Sequence, residues 1–91
     1  MLPKFSTMTD DELMAFWKRY SRPSRKDAEA LIGGRRPGFT KLAGMYAALA
    51  CDMAVVIGCK RRGDEDGVRC YEEHIRIRKE RIKKAGLPLP E

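Results

Sequence analysis

Apolar residues recur along this chain at intervals of three and four, the period of a helix face; alternation at every second position, the mark of a half-buried strand, is absent. Leu13, Phe16, Trp17 and Tyr20 fall on one stripe, and the residues before them carry a start signal. Thr9 with Glu12 forms a capping box, and Met8 can staple onto Leu13. A first helix over 9–20 follows, ended by the "SRPS" segment. Ser24 with Asp27 opens a short second helix over 24–32, in which Ala28, Leu31 and Ile32 turn inward until Gly33 stops it. A third helix runs from about 40 to 62 and is apolar nearly all round. Leu42, Met45, Leu49, Met53 and Val56 make its large stripe; Gly44, Ala48, Cys51, Val55 and Gly58 make a small one that lets another helix approach closely. A fourth, over 64–85, starts at Asp64 and places Val68, Tyr71, Ile75 and Ile82 inward. Gly86 and Leu87 can close it onto Ile82 in a Schellman motif, and Pro88 and Pro90 forbid continuation.

The pattern predicts an all-α chain. A long antiparallel hairpin of the third and fourth helices carries the first two, making a bundle of three to four helices. Residues 1–91 form one domain, with 1–7 and 87–91 as extended arms. A chain of this size buries only roughly 60–65% of its unfolded surface, so a second copy is a natural supplement to its thin core. In the hairpin, residues whose numbers sum to about 130 lie opposite each other. Asp52, the lone charge within the apolar stretch, then falls opposite Arg78, which interrupts the apolar stripe of the fourth helix, with Arg76 or His74 as substitute partners. A buried carboxylate demands a partner, so the two form a structural ion pair. The same rule sets Cys59 against Cys70, with His74 one turn on. These three types can ligate zinc, but there is no CxxC pair and no evident fourth ligand, so no metal or other cofactor is expected.

The turn and fourth helix resemble the corresponding part of a tetratricopeptide repeat at Gly63, Asp64 and Tyr71. The resemblance covers a single repeat and implies a helical hairpin, with nothing about activity. The "RGD" of Arg62–Asp64 is explained as a turn with a capping aspartate. A helix-turn-helix groove reader is excluded by the apolar third helix, which offers no polar side chains to base edges. The third helix also approaches the length of a membrane span, but its flanking Lys41, Lys60, Arg61 and Arg62 enclose a stretch with Asp52 at its centre, so no membrane is expected. The N-terminal residues have no signal-peptide pattern, and three cysteines in helical segments suit reduced thiols; a cytoplasmic setting is expected.

Charge adds the functional expectation. The chain carries 19 Lys and Arg against 13 Asp and Glu, a net +6. "RIRKERIKK" closes the fourth helix, and the antiparallel hairpin returns it to the start of the third. Arg76, Lys79, Arg81, Lys83 and Lys84 then gather with Lys41 and with Arg35 and Arg36 of the "LIGGRRPGFTK" loop; Arg22, Arg25 and Lys26 join them if the second helix packs there. That loop follows a helix and lacks P-loop spacing, so it is no nucleotide cradle by itself. As part of a basic pole it attracts phosphates through counterion release. No nucleophile with a base, and no carboxylate pair, supports an enzyme. Two functional classes follow: a small basic module docking on nucleic acid, a nucleoprotein complex or another acidic surface; or a protein-interaction module, an adaptor or inhibitor of the accessory-factor kind. The second would use Phe16, Trp17 and Tyr20, or the small-residue face, on a partner protein or a second copy.

Overall fold

A computed structural model describes residues 2–91 and contains four α-helices and a short 3-10 turn, with no strand among the described residues. The helices are α1 (Asp10–Tyr20), α2 (Arg25–Ile32), α3 (Phe39–Arg62) and α4 (Glu65–Lys84). The starts of α1, α2 and α4 have the chemistry read from the sequence. The Thr9 hydroxyl accepts from the Glu12 N–H at 3.2 Å and the Glu12 carboxylate accepts from the Thr9 N–H at 3.1 Å, while Ser24 and Asp64 cap α2 and α4. α4 ends in the expected Schellman motif. Gly86 takes the left-handed conformation at φ +73°, its N–H donating to the Lys83 carbonyl, and the Leu87 N–H donates to the Ile82 carbonyl at 3.2 Å.

α3 is the axis of the molecule. At 1.5 Å per residue its 24 residues extend about 36 Å, most of the 42 Å length of a body 42 × 24 × 20 Å. α1, α2 and α4 all pack on it. α4 runs antiparallel to α3 with the expected register: Arg78 Nε donates to Asp52 Oδ2 at 3.1 Å, with the aspartate buried and the arginine about one-third exposed. α1 is also antiparallel to α3. Its first residue, Asp10, pairs with Arg61 at 2.7 Å, and the Ser21 carbonyl after its last turn approaches Gly44. α2 lies on the opening turns of α3, where Ala28, Phe39 and Ala43 form a small separate core.

The main core joins Leu13 and Phe16 of α1, Tyr46, Leu49, Ala50 and Ala54 of α3, Ile82 of α4, and two residues from the termini, Phe5 and Leu87. This corrects the expectation of extended arms at 1–7 and 87–91. Phe5–Thr7 is a 3-10 turn whose Phe5 is 1% exposed and meets Phe16 edge-on at 4.8 Å. The tail runs back along α4 and pairs with the N-terminal segment. The Tyr46 hydroxyl donates to the Pro88 carbonyl at 2.6 Å, the Phe5 N–H donates to the Pro90 carbonyl at 2.9 Å, and Lys79 reaches Glu91 at 2.8 Å. The reason is the apolar surface of α3: three helices leave its Leu49–Met53 side uncovered, and both ends of the chain fill it. By length and composition alone α3 could also cross a membrane; half of its most apolar window is buried within the bundle.

The pinned tail and the buried ion pair each carry a testable consequence. Burial pushes the Tyr46 phenol above its usual value. Its contribution to stability is therefore complete below about pH 10, the unfolded value, and is lost as pH rises through the higher folded value. Tyr46→Phe should cost about 1 kcal/mol at neutral pH through the lost hydrogen bond and show a shallower loss of stability above about pH 10 than the parent, measured by urea unfolding across pH. Arg78→Met should destabilise by about 3 kcal/mol, because it strands the Asp52 carboxylate, and Asp52→Leu combined with Arg78→Met should recover most of that loss. Denaturant midpoints of the single and double variants test this.

Candidate nucleic-acid interface

The basic end is assembled by backbone geometry in three places. First, α2 ends at Gly33 in the left-handed conformation at φ +84°, and the 33–38 loop reverses the chain into α3. Within it the Arg35 guanidinium pairs with Glu29 at 2.8 Å, and Arg36 stretches across to α4, where its Nη2 donates to the Ala85 carbonyl at 3.1 Å. That carbonyl lies at the end of α4, where the helix dipole favours a cation. Second, α3 begins at Gly38 with no side-chain cap and no acid in its first turn, so its positive end faces the same region beside Lys41. Third, the last turn of α4 presents Arg81, Lys83 and Lys84, all exposed.

Ion pairing divides the expected site residues into two groups. Arg36, Lys41, Arg81, Lys83 and Lys84 have no carboxylate partner among the described residues. Arg76 is held between Glu73 and Glu80 and Lys79 by Glu91; Arg35 is held by Glu29. The guanidinium beside Glu73 keeps that carboxyl below its ordinary value, and Lys79 does the same to Glu91. These three cations are already largely neutralised. Their acids lie within one or two helical turns or in the folded-back tail, and the hairpin register alone does not reveal the pairing.

The packing of α2 adds cations that the hairpin alone does not supply. Arg25 sits over the Phe39 ring at 5.5 Å, which fixes it at the start of α3. Since α1 is antiparallel to α3, its C-terminal Lys18 and Arg19, with Arg22 just beyond, belong to this end too. The acids of α2, Asp27 and Glu29, are paired to Arg19 and Arg35. The same antiparallel arrangement carries Asp10, Asp11 and Glu12 to the opposite end, beside Asp64, Glu65 and Asp66 of the hairpin turn. Lys60, Arg61 and Arg62 of α3 stand at that end too and partly offset its acids.

The other expected sites resolve differently. Phe16 is a core residue, 9% exposed, locked between Phe5 and Tyr20, which corrects its assignment to a partner surface; Trp17 and Tyr20 are half-buried. Cys59 does not face Cys70. It packs against Gly67, while Cys70 and His74 are exposed and His74 stacks edge-on to Tyr71. The residue against Cys59 is thus three positions earlier than the register rule places it. Among the described residues no three His, Cys, Asp or Glu side chains converge as a metal site. A 550 Å³ groove between α1 and α2 is lined by Glu12, Phe16, Arg19, Tyr20 and Leu31, but its Glu12 is engaged in the cap and its Arg19 in the pair with Asp27. The small stripe of α3 is half-buried; the Ser21 carbonyl lies over Gly44 and the Arg62 side chain near Gly58.

Comparison with protein-family models, with curated proteins and with solved structures found no match.

Gly67 is the position at which the hairpin tolerates least. A Cβ there would lie 2.8 Å from Cys59 Sγ and collide with the Asp64 carboxylate that caps α4. Gly67→Ala should therefore lower stability by about 1–2 kcal/mol, although alanine is the better helix former by about 1 kcal/mol. Thermal unfolding of this variant beside a Gly67→Ala, Cys59→Ala pair, in which part of the loss returns, checks the contact.

Proposed function

We propose that the chain is a small non-enzymatic binding module that docks its basic end on nucleic acid, alone or within a nucleoprotein complex, and acts in the cytoplasm. The observation that carries this reading is the reach of Arg36 to the Ala85 carbonyl, which joins the 33–38 loop to the last turn of α4. It ties Arg36 to the turn that carries Arg81, Lys83 and Lys84; Lys41 stands in the first turn of α3, and Asp27 and Glu29, the acids of α2, are held by Arg19 and Arg35. Unpaired cations gathered on one surface attract a polyanion by releasing its counterions, whatever its sequence.

A second reading rests on the open small-residue face of α3. Gly44, Ala48, Cys51, Val55 and Gly58 are half-buried, and such a face suits close packing with a helix of a partner protein or of a second copy. Binding there would be largely insensitive to salt.

Salt dependence separates the two. Binding to mixed-sequence nucleic acid should weaken steeply with salt, with a log–log slope of about −3 to −5 for five engaged cations. Arg36→Glu with Lys84→Glu should reduce affinity at least tenfold and leave the far-UV circular dichroism unchanged. Absence of binding at low salt, or a charge-reversed protein that binds as well as the parent, overturns the first reading.

A further inference from the structure

We propose that the basic end recognises the paired phosphate backbones of double-stranded nucleic acid and reads neither bases nor single strands. This rests on the polyanion reading above and narrows it to one ligand class.

Single-strand binders combine a charged channel with aromatic rings on which bases stack. The basic end provides neither. Its two aromatic rings are already covered by cations: Phe39 is 8% exposed beneath the Arg25 guanidinium, and the half-buried Tyr20 has Arg19 at 5.2 Å. Trp17 is half-buried on α1, nearly a full turn before that helix ends. Arg25, Arg36, Lys41, Arg81, Lys83 and Lys84 are all exposed, and the grooves between α1 and α2 and beside the tail are lined by other residues.

Base readout is equally unsupported. Adenine is read in the major groove by the amide of Asn or Gln, and the chain contains neither residue. Guanine readers must be presented on an element that enters the groove. The unpaired cations come instead from the 33–38 loop, the opening of α3 and the last turn of α4. The exposed residues of α2 are Arg25, whose guanidinium lies over Phe39, with Lys26 and Ala30, beside its paired Asp27 and Glu29.

What the face does fit is a two-dimensional array of phosphates. Its cations belong to separate elements distributed over the end of a body whose cross-section is 24 × 20 Å. That is wide enough to straddle a major groove of about 12 Å and touch phosphates of both strands. A duplex also presents one charge per roughly 1.7 Å of axis, a higher density than a single strand offers a rigid flat face.

The test compares three labelled probes by fluorescence anisotropy at one low salt concentration: an A·T-rich duplex, a G·C-rich duplex, and a single strand of the same length. The two duplexes should bind within about threefold of each other and the single strand at least fivefold more weakly, with the duplex preference reduced in Arg36→Glu. A single strand bound as tightly as a duplex, or one duplex preferred more than tenfold over the other, overturns this inference and leaves the polyanion reading standing. Failure of all three probes to bind overturns both.

Discussion

Everything in this bundle follows from the need to cover α3. A 24-residue helix that is apolar on nearly every side loses free energy wherever it meets water, and three shorter partners cannot enclose it. The chain recruits its own ends to complete the cover. Phe5 and Leu87 enter the main core, and the Phe5 N–H with the Tyr46 hydroxyl binds the tail carbonyls that this burial would otherwise leave unpaired. Residues that look like dispensable arms are thus part of the hydrophobic core. The small-residue stripe is where the covering stops, and its residues are compact enough that the apolar area left open is modest.

Covering an apolar helix does not select one arrangement, because nonpolar contact is nearly indifferent to register. The polar exceptions within it do. Asp52 can be buried only where Arg78 meets it, so that pair sets how α4 lies along α3. Gly67 then permits the close approach of the hairpin at Cys59. Few contacts, each costly to misplace, select among many arrangements of similar apolar burial.

Charge separation is a consequence of those directions. With α1 and α4 both antiparallel to α3, the acidic first turns of α1 and α4 fall at one end and their basic last turns at the other, as helix dipoles favour. α3 runs the other way and sets Lys60, Arg61 and Arg62 among those acids, so the acidic end is partly offset. The basic end is therefore a consequence of helix capping and packing direction.

The sequence by itself determined the four helices, their caps, the Schellman ending of α4 and the pairing of Asp52 with Arg78. These depend on interactions within a few residues, or on one rule of antiparallel register, and such local physics is written in residue order. Only the tertiary structure decided that Phe16 is core, that Cys59 faces Gly67, and that the terminal segments pack into the bundle. The same holds for the binding candidates. Residue order placed Arg76 and Lys79 beside Lys83 and Lys84, but the folded chain gives the first two carboxylate partners and leaves the last two without any among the described residues. Whether a cation is free depends on which acid lies within about 4 Å in space. That distance is set by the packing of every helix at once.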